Sequence, residues 1–151
     1  MRSGQRMKLS TKGRYGLRAL VDLAVHSEKE AVSISSIAQR QRISESYLEQ
    51  LAGKLKKAGL IVSTRGAGGG YRLAKPAAEI SVGDVLRALE GNLEAVECQG
   101  LKPEGECEGA GSCVVKYVWK QINESISETV DNIWLEDLIE ESKKVKREVG
   151  R

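Results

Sequence analysis

The sequence has no phenylalanine, a single histidine and three cysteines among its 151 residues. Three thiols are an odd number and too few for the disulfide framework of a small secreted domain. No apolar run approaches the roughly 18 residues that a bilayer crossing needs. The opening stretch MRSGQRMKLS lacks the apolar core of a secretory signal, so the chain is expected to stay in a reducing cytoplasm. Extracellular, transmembrane and disulfide-stapled classes are thereby excluded. The one histidine, His26, has no cysteine near it in sequence, and neither a Ser-His-Asp set nor a cofactor fingerprint is evident, so an enzyme is not expected. What is there, 40% apolar and 30% charged with four Tyr and two Trp, suits an ordinary packed core. The length fits one compact domain or a small domain with an appended oligomerisation element.

Charge is unevenly spread. Residues 1–76 hold 15 Lys or Arg against 5 Asp or Glu, a balance of +10, and residues 77–151 hold 9 against 16, a balance of −7. Such a split suggests a polyanion-binding front and a back with another task, the plainer alternative being two differently charged solvated faces.

Apolar residues recur at helical spacing from Gly13 to His26. Ser33 offers a cap for a short helix running to about Gln41, and Ser44 caps a further helix that carries Leu48, Leu51, Ala52 and Leu55 on one face and ends near Gly59. Residues 60–65 then read as a strand, Gly66-Ala67-Gly68-Gly69-Gly70 as a flexible tip, and Tyr71-Arg72-Leu73 as the partner strand. Helix, helix-turn-helix and hairpin in that order make a winged helix-turn-helix. Pro76 closes the unit, and Ser81 caps a helix striped by Val82, Val85, Leu86 and Leu89. The expected architecture is mainly α with a small β-hairpin. A winged helix-turn-helix over residues 7–91 precedes a cysteine-bearing loop over 92–112. Residues 113–145 carry a long helix, striped by Val115, Val118, Trp119, Ile122, Ile126, Val130 and Ile133, and a final amphipathic helix from Trp134. A long striped helix outside a small domain needs a partner, and a second copy of itself is the simplest one.

The Ser44-capped helix turns Ser46, Glu49, Gln50, Gly53, Lys54 and Lys57 away from its apolar face. A recognition helix uses its N-terminal residues on base edges and its cations on phosphate. Gln pairs with adenine, Ser with several base edges, and Lys with backbone oxygens. Glu49 repels phosphate; it is either solvated or accepts from cytosine N4, which disfavours sites lacking that base. Arg65 and Gly66 begin the hairpin tip, where glycine permits close backbone approach and Arg suits a narrow minor groove. The tip lacks the Gly-Lys-Ser/Thr of a nucleotide-binding loop.

All three thiols, Cys98, Cys107 and Cys113, fall in one glycine-rich stretch with C-x8-C-x5-C spacing. Neither a zinc-type close pair nor a redox C-x-x-C is present. Wider spacing around a bulkier iron–sulfur cluster fits better, with thiol redox chemistry and incidental clustering as the alternatives.

From Met7 to about Leu138 the sequence resembles the IscR-type iron–sulfur cluster regulators, a winged-helix repressor family that includes NsrR and CymR. The matching stretches are residues 7–15, 43–51 and 65–71, and the opening Cys98-Gln99-Gly100. The resemblance implies a homodimeric transcriptional regulator of cluster-assembly genes on a palindromic double-stranded operator, with the helix after Cys113 as the dimerisation helix. Ser44, Ser46, Glu49 and Gln50 would face the major groove and Arg65 would lie in the wing. Glu49 matches a glutamate through which cluster occupancy selects operator classes. Cys98, Cys107 and Cys113 would ligate a 2Fe–2S cluster delivered by the cluster-assembly machinery. Two departures stand out. The first cysteine gap is longer than usual, and the position that usually supplies a histidine ligand is Lys116. Arg14 and Arg18 occupy the first-helix positions from which some relatives draw a ligand, leaving Glu97, Glu106, Glu108 or a group from outside the chain. A regulator of the same fold answering to thiol oxidation or nitric oxide is the competing reading. A protein-binding winged helix is a further one, separable by the salt dependence of DNA binding.

Overall fold

The computed structural model describes residues 9–101, 109 and 113–149. Three serines start the helices of the N-terminal half. Ser10 caps α1 (Thr11–His26), Ser33 caps α2 (Ile34–Gln41) and Ser44 caps α3 (Glu45–Lys57), each hydroxyl accepting from a backbone N–H of the first turn. Between α2 and α3 the chain turns through Arg42, a left-handed residue at φ 57°. The hairpin follows at once. β1 (Ile61–Thr64) pairs antiparallel with β2 (Gly70–Leu73) in the register Ile61 to Leu73 through Thr64 to Gly70. A bridge between Val32 and Tyr71 fastens the hairpin to the start of α2.

Helix α4 (Val82–Glu90) opens with a reciprocal cap, Ser81 Oγ accepting from Asp84 N at 3.0 Å and Asp84 Oδ2 accepting from Ser81 N at 3.1 Å. The apolar faces of α1 to α4 and β1 converge on one core, with Leu20, Ile37, Leu48, Leu51, Ile61, Ile80, Val85 and Leu89 sealed from solvent. A smaller cluster of Val82, Leu86 and Leu93 lies on the other side of α4, and Ile126 and Val130 of α5 (Lys116–Asp131) pack on it.

The winged helix-turn-helix and the caps at Ser33, Ser44 and Ser81 are as the sequence predicts, and Ser10 is a further cap, but the long helix is shorter at both ends. It begins at Lys116 and stops at Asp131, so Ile133 lies outside it. Ile133 O accepts from Val82 N and Ile80 O accepts from Leu135 N, both at 2.8 Å, and this strap needs extended backbone where a helix would otherwise continue. Helix α6 (Leu135–Val149) starts immediately after it, and Leu135 is buried in the main core. Two short 3₁₀ turns, Ala77–Glu79 and Gln99–Leu101, were not anticipated from the sequence.

Candidate nucleic-acid interface and cysteine loop

On α3, Leu48, Leu51, Ala52 and Leu55 are buried, and Ser46, Glu49, Gln50, Gly53, Lys54 and Lys57 are exposed. Ser46, Glu49, Gln50 and Lys54 make no side-chain hydrogen bond or ion pair among the described residues, so their polar groups are available to a ligand. Ser44 has a second task, since its hydroxyl oxygen accepts from Tyr47 N at 3.2 Å. Its O–H hydrogen is still able to donate. A Cβ at Gly53 would meet nothing within 4 Å, so this glycine leaves a flat place on the exposed face.

The helix is held from behind. Tyr47 O–H and Thr11 Oγ1 are 2.6 Å apart, and the Tyr47 ring stands edge-on to Tyr15 at 6.3 Å and 87°. Arg18 lies over the Tyr15 ring at 5.4 Å and donates to Gln41 O at 2.8 Å. Beneath them Asp22, a buried carboxylate, accepts from Arg40 at 2.7 to 3.1 Å and from Gln41 Nε2 at 2.9 Å. Burial pushes this carboxyl up, but the hydrogen bonds from Arg40 and Gln41 and the Arg40 charge outweigh burial and hold it below its ordinary value. The position of α2 against α1 is thus fixed by a charge-assisted fork. The start of α1 is tied to the end of α4, where Glu90 accepts from Ser10 N at 2.5 Å and from Ser10 Oγ at 2.6 Å.

The hairpin is joined to α3 by Lys56, which donates to Ser63 Oγ at 2.9 Å. Arg65 is exposed at the end of β1 and makes no side-chain hydrogen bond or ion pair among the described residues. The tip turns through Gly66 at φ 99° and Gly68 at φ 82°, conformations that favour glycine. A Cβ on Gly70 would collide with the backbone of Val32, where the hairpin crosses the start of α2.

The sequence-predicted metal ligands are only partly within view. Cys107 lies outside the described residues, as do Glu106 and Glu108. Cys98 and Cys113 are half-buried and unbridged. Cys98 O accepts from Leu101 N, and Cys113 N donates to Gly109 O, at 3.1 and 2.8 Å. Lys116, the first residue of α5, sets its ammonium 5.3 Å from the Tyr117 ring centre. His26 is engaged elsewhere, its Nδ1 lying 2.8 Å from Asp22 O. No group of three or more His, Cys, Asp or Glu that could hold a metal occurs among the described residues. Two of the thiols are unbridged donors of the type an iron–sulfur cluster takes, and the backbone just before Cys98 is fixed next to α5.

That fixing comes from Asn123, which sequence reasoning passed over. Its Oδ1 accepts from Ala95 N at 2.9 Å and Val96 N at 3.3 Å, and its Nδ2 donates to Val96 O at 3.1 Å. The available signal was a polar residue within the half-buried row Trp119, Asn123, Ile126 and Val130. A separate apolar row on α5, Val115, Val118 and Ile122, stays exposed, and none of the sixteen residues of α5 is fully buried. Among the described residues no helix is long and apolar enough to cross a membrane.

With this geometry in view, comparisons with known proteins bear on what the surfaces do. The family model described as Rrf2, iron-dependent transcriptional regulator, matches residues 9–141. The HTH-type transcriptional regulator IscR of Vibrio vulnificus (strain YJ016) is 43% identical over 140 residues, which cover 93% of this chain and 82% of that protein. Among solved structures, T. potens IscR superposes with a TM-score of 0.73 at 42% identity, covering 92% of this chain and 90% of its own. CymR, the global cysteine regulator of B. subtilis, does so with a TM-score of 0.72 at 42% identity, covering 88% and 96%.

Proposed function

The chain belongs to the Rrf2 family of transcriptional regulators, and from that premise we propose that it is a cytoplasmic, dimeric repressor of iron–sulfur cluster assembly genes. It reads double-stranded operator DNA and senses a 2Fe–2S cluster. The observation that carries the reading is the pairing of two features in one chain. One is a recognition helix on whose exposed face Ser46, Glu49, Gln50 and Lys54 have no side-chain partner among the described residues. The other is a set of thiols borne on the approach to a helix with an uncovered apolar row.

In this reading Ser44, Ser46, Glu49 and Gln50 face base edges and Lys54 faces phosphate, while Arg65 and Gly66 bring the wing into the neighbouring groove. Two copies meet along Val115, Val118 and Ile122, which presents two such helices to a palindromic site. Residues 7–91 form the DNA-binding unit, 92–112 the sensing loop and 113–145 the dimer helix with its C-terminal return. Cys98, Cys107 and Cys113 hold the cluster, delivered by the assembly machinery, with one further ligand from Glu97, Glu106, Glu108 or outside the chain. When bound, the cluster supplies a redox- and oxygen-sensitive group at the foot of the dimer helix. The chain's own part is to orient the thiols, present the recognition helices and link the two through α5. A second reading, in which thiol oxidation or nitric oxide is the signal, is favoured by one observation. Lys116 stands where a histidine ligand is usual, and Cys98 and Cys113 are unbridged and partly accessible.

Operator titration by fluorescence anisotropy tests the proposal, comparing cluster-loaded and iron-free protein across a salt series. Affinity is expected to fall steeply with salt and to differ between the two forms. Salt-insensitive binding, or one affinity for both forms on every operator tried, would contradict it.

A further inference from the structure

We propose that Asn123 is the positioning residue that fixes Cys98 relative to α5, so that the backbone leading into Cys98 and the set of α5 move as one. The inference rests on the cluster-sensing reading above and goes beyond it by naming the side chain that does the coupling.

The Asn123 amide bonds both the N–H and the C=O of Val96, as a neighbouring strand would, and takes the N–H of Ala95 as well. These bonds lie just upstream of Cys98. The segment enters the tether from a rigid base, since Leu93 is buried with Val82 and Leu86 against Ile126 and Val130 of α5. Cys113 lies close before Lys116, the first residue of the same helix. Both described thiols therefore take their position from α5, Cys113 through the chain and Cys98 through Asn123.

The far end of α5 is held too. Arg87 donates to both carboxylate oxygens of Asp131 at 2.6 and 3.0 Å. From α4 the contacts run on through Glu90 to Ser10, and from neighbouring Thr11 to Tyr47 on the recognition helix. A displacement at Val96 thus meets hydrogen-bonded contacts in turn rather than an open loop.

The chemistry of the amide is specific. Ala at this position leaves three backbone groups without their partner. Asp keeps acceptors for the two N–H groups but has no donor for Val96 O.

The test compares the iron-free native chain with Asn123→Ala and Asn123→Asp, reading iodoacetamide labelling of Cys98 and Cys113 separately by mass spectrometry. Far-UV circular dichroism is taken on each sample. Asn123→Ala is expected to speed labelling of Cys98 roughly tenfold, with Cys113 within about twofold of native and the helical signal unchanged. Asn123→Asp is expected to fall between. After anaerobic reconstitution, the Asn123→Ala chromophore is expected to bleach several-fold faster in EDTA. Equal Cys98 labelling in all three proteins would overturn the proposal, and so would a joint rise at both thiols accompanied by loss of helical signal. A native chain that stays colourless after reconstitution would overturn the cluster reading instead, leaving the labelling comparison to decide whether Asn123 holds the loop.

Discussion

Helix α3 buries its four apolar side chains against its own chain and turns polar groups outward, whereas α5 leaves Val115, Val118 and Ile122 in solvent and buries no residue fully. The contrast extends to the regions around them. The front half is a closed structure: serines cap its helices, Asp22 is matched by Arg40 and Gln41, and the wing is tied down through Lys56 and Val32. In the back half, α5 is clamped along one side through Asn123 and Asp131 and carries an exposed apolar row. A helix whose apolar side chains are already buried offers its outward polar groups to a ligand. An apolar row left in solvent is the feature from which the dimer contact is proposed.

Several substitutions sharpen or break that comparison. The largest effect is expected from charge placed on the uncovered row. If α5 is the dimer contact as proposed, Val118→Asp with Ile122→Lys should weaken self-association by roughly 4 kcal/mol, about a thousandfold, since both changes fall in the exposed apolar row. Sedimentation velocity checks this, and an unchanged dimer would remove α5 as the contact. In the front half, Leu48→Ala should cost about 3 kcal/mol in urea unfolding, because the closed core cannot collapse around the gap. The two substitutions should not exchange phenotypes: the first is expected to spare the winged-helix fold, the second to spare dimer contacts.

Acid should act on the front half through Asp22. Its carboxyl sits below its ordinary value when folded. The pair therefore stabilises at pH above the ordinary carboxylate range and loses that contribution as pH falls through the folded value. Asp22→Asn should cost about 2 kcal/mol at neutral pH and flatten the acid limb of a stability–pH curve. An unchanged acid limb would show that the fork with Arg40 carries no net stability. Arg65→Ala should then cost about 2 kcal/mol in operator affinity without changing stability, as measured by anisotropy. Lys54→Ala is expected to have the smallest effect, weakening all DNA sequences alike and lowering the salt slope by about 1.

What the sequence revealed and what it hid divide along the same line. Ser33, Ser44 and Ser81 announce helix starts because a cap is a local bargain between one side chain and the next turn. The glycines of the tip announce a hairpin for the same reason, and Gly66 and Gly68 take the left-handed backbone that their type permits. The stop at Asp131 was not legible, because it depends on Ile80 and Val82 offering backbone partners to the strap at Ile133 and Leu135. Contacts between Glu90 and Ser10, and between Asn123 and Val96, are likewise made by residues far apart in the chain. The exposed polar face of α3 was legible as a row of polar residues opposite an apolar one. The role of Asn123 was not, since one polar residue in a half-buried row acquires meaning only once the facing loop is known.

The most direct test of the proposed cluster sensing is an anaerobic visible spectrum of freshly purified protein with iron and acid-labile sulfide counts. A coloured protein with about two irons and two sulfides per chain is expected, losing that colour on Cys107→Ala. A protein that stays colourless and iron-free even after anaerobic reconstitution would contradict cluster sensing and move the signal to the thiols themselves.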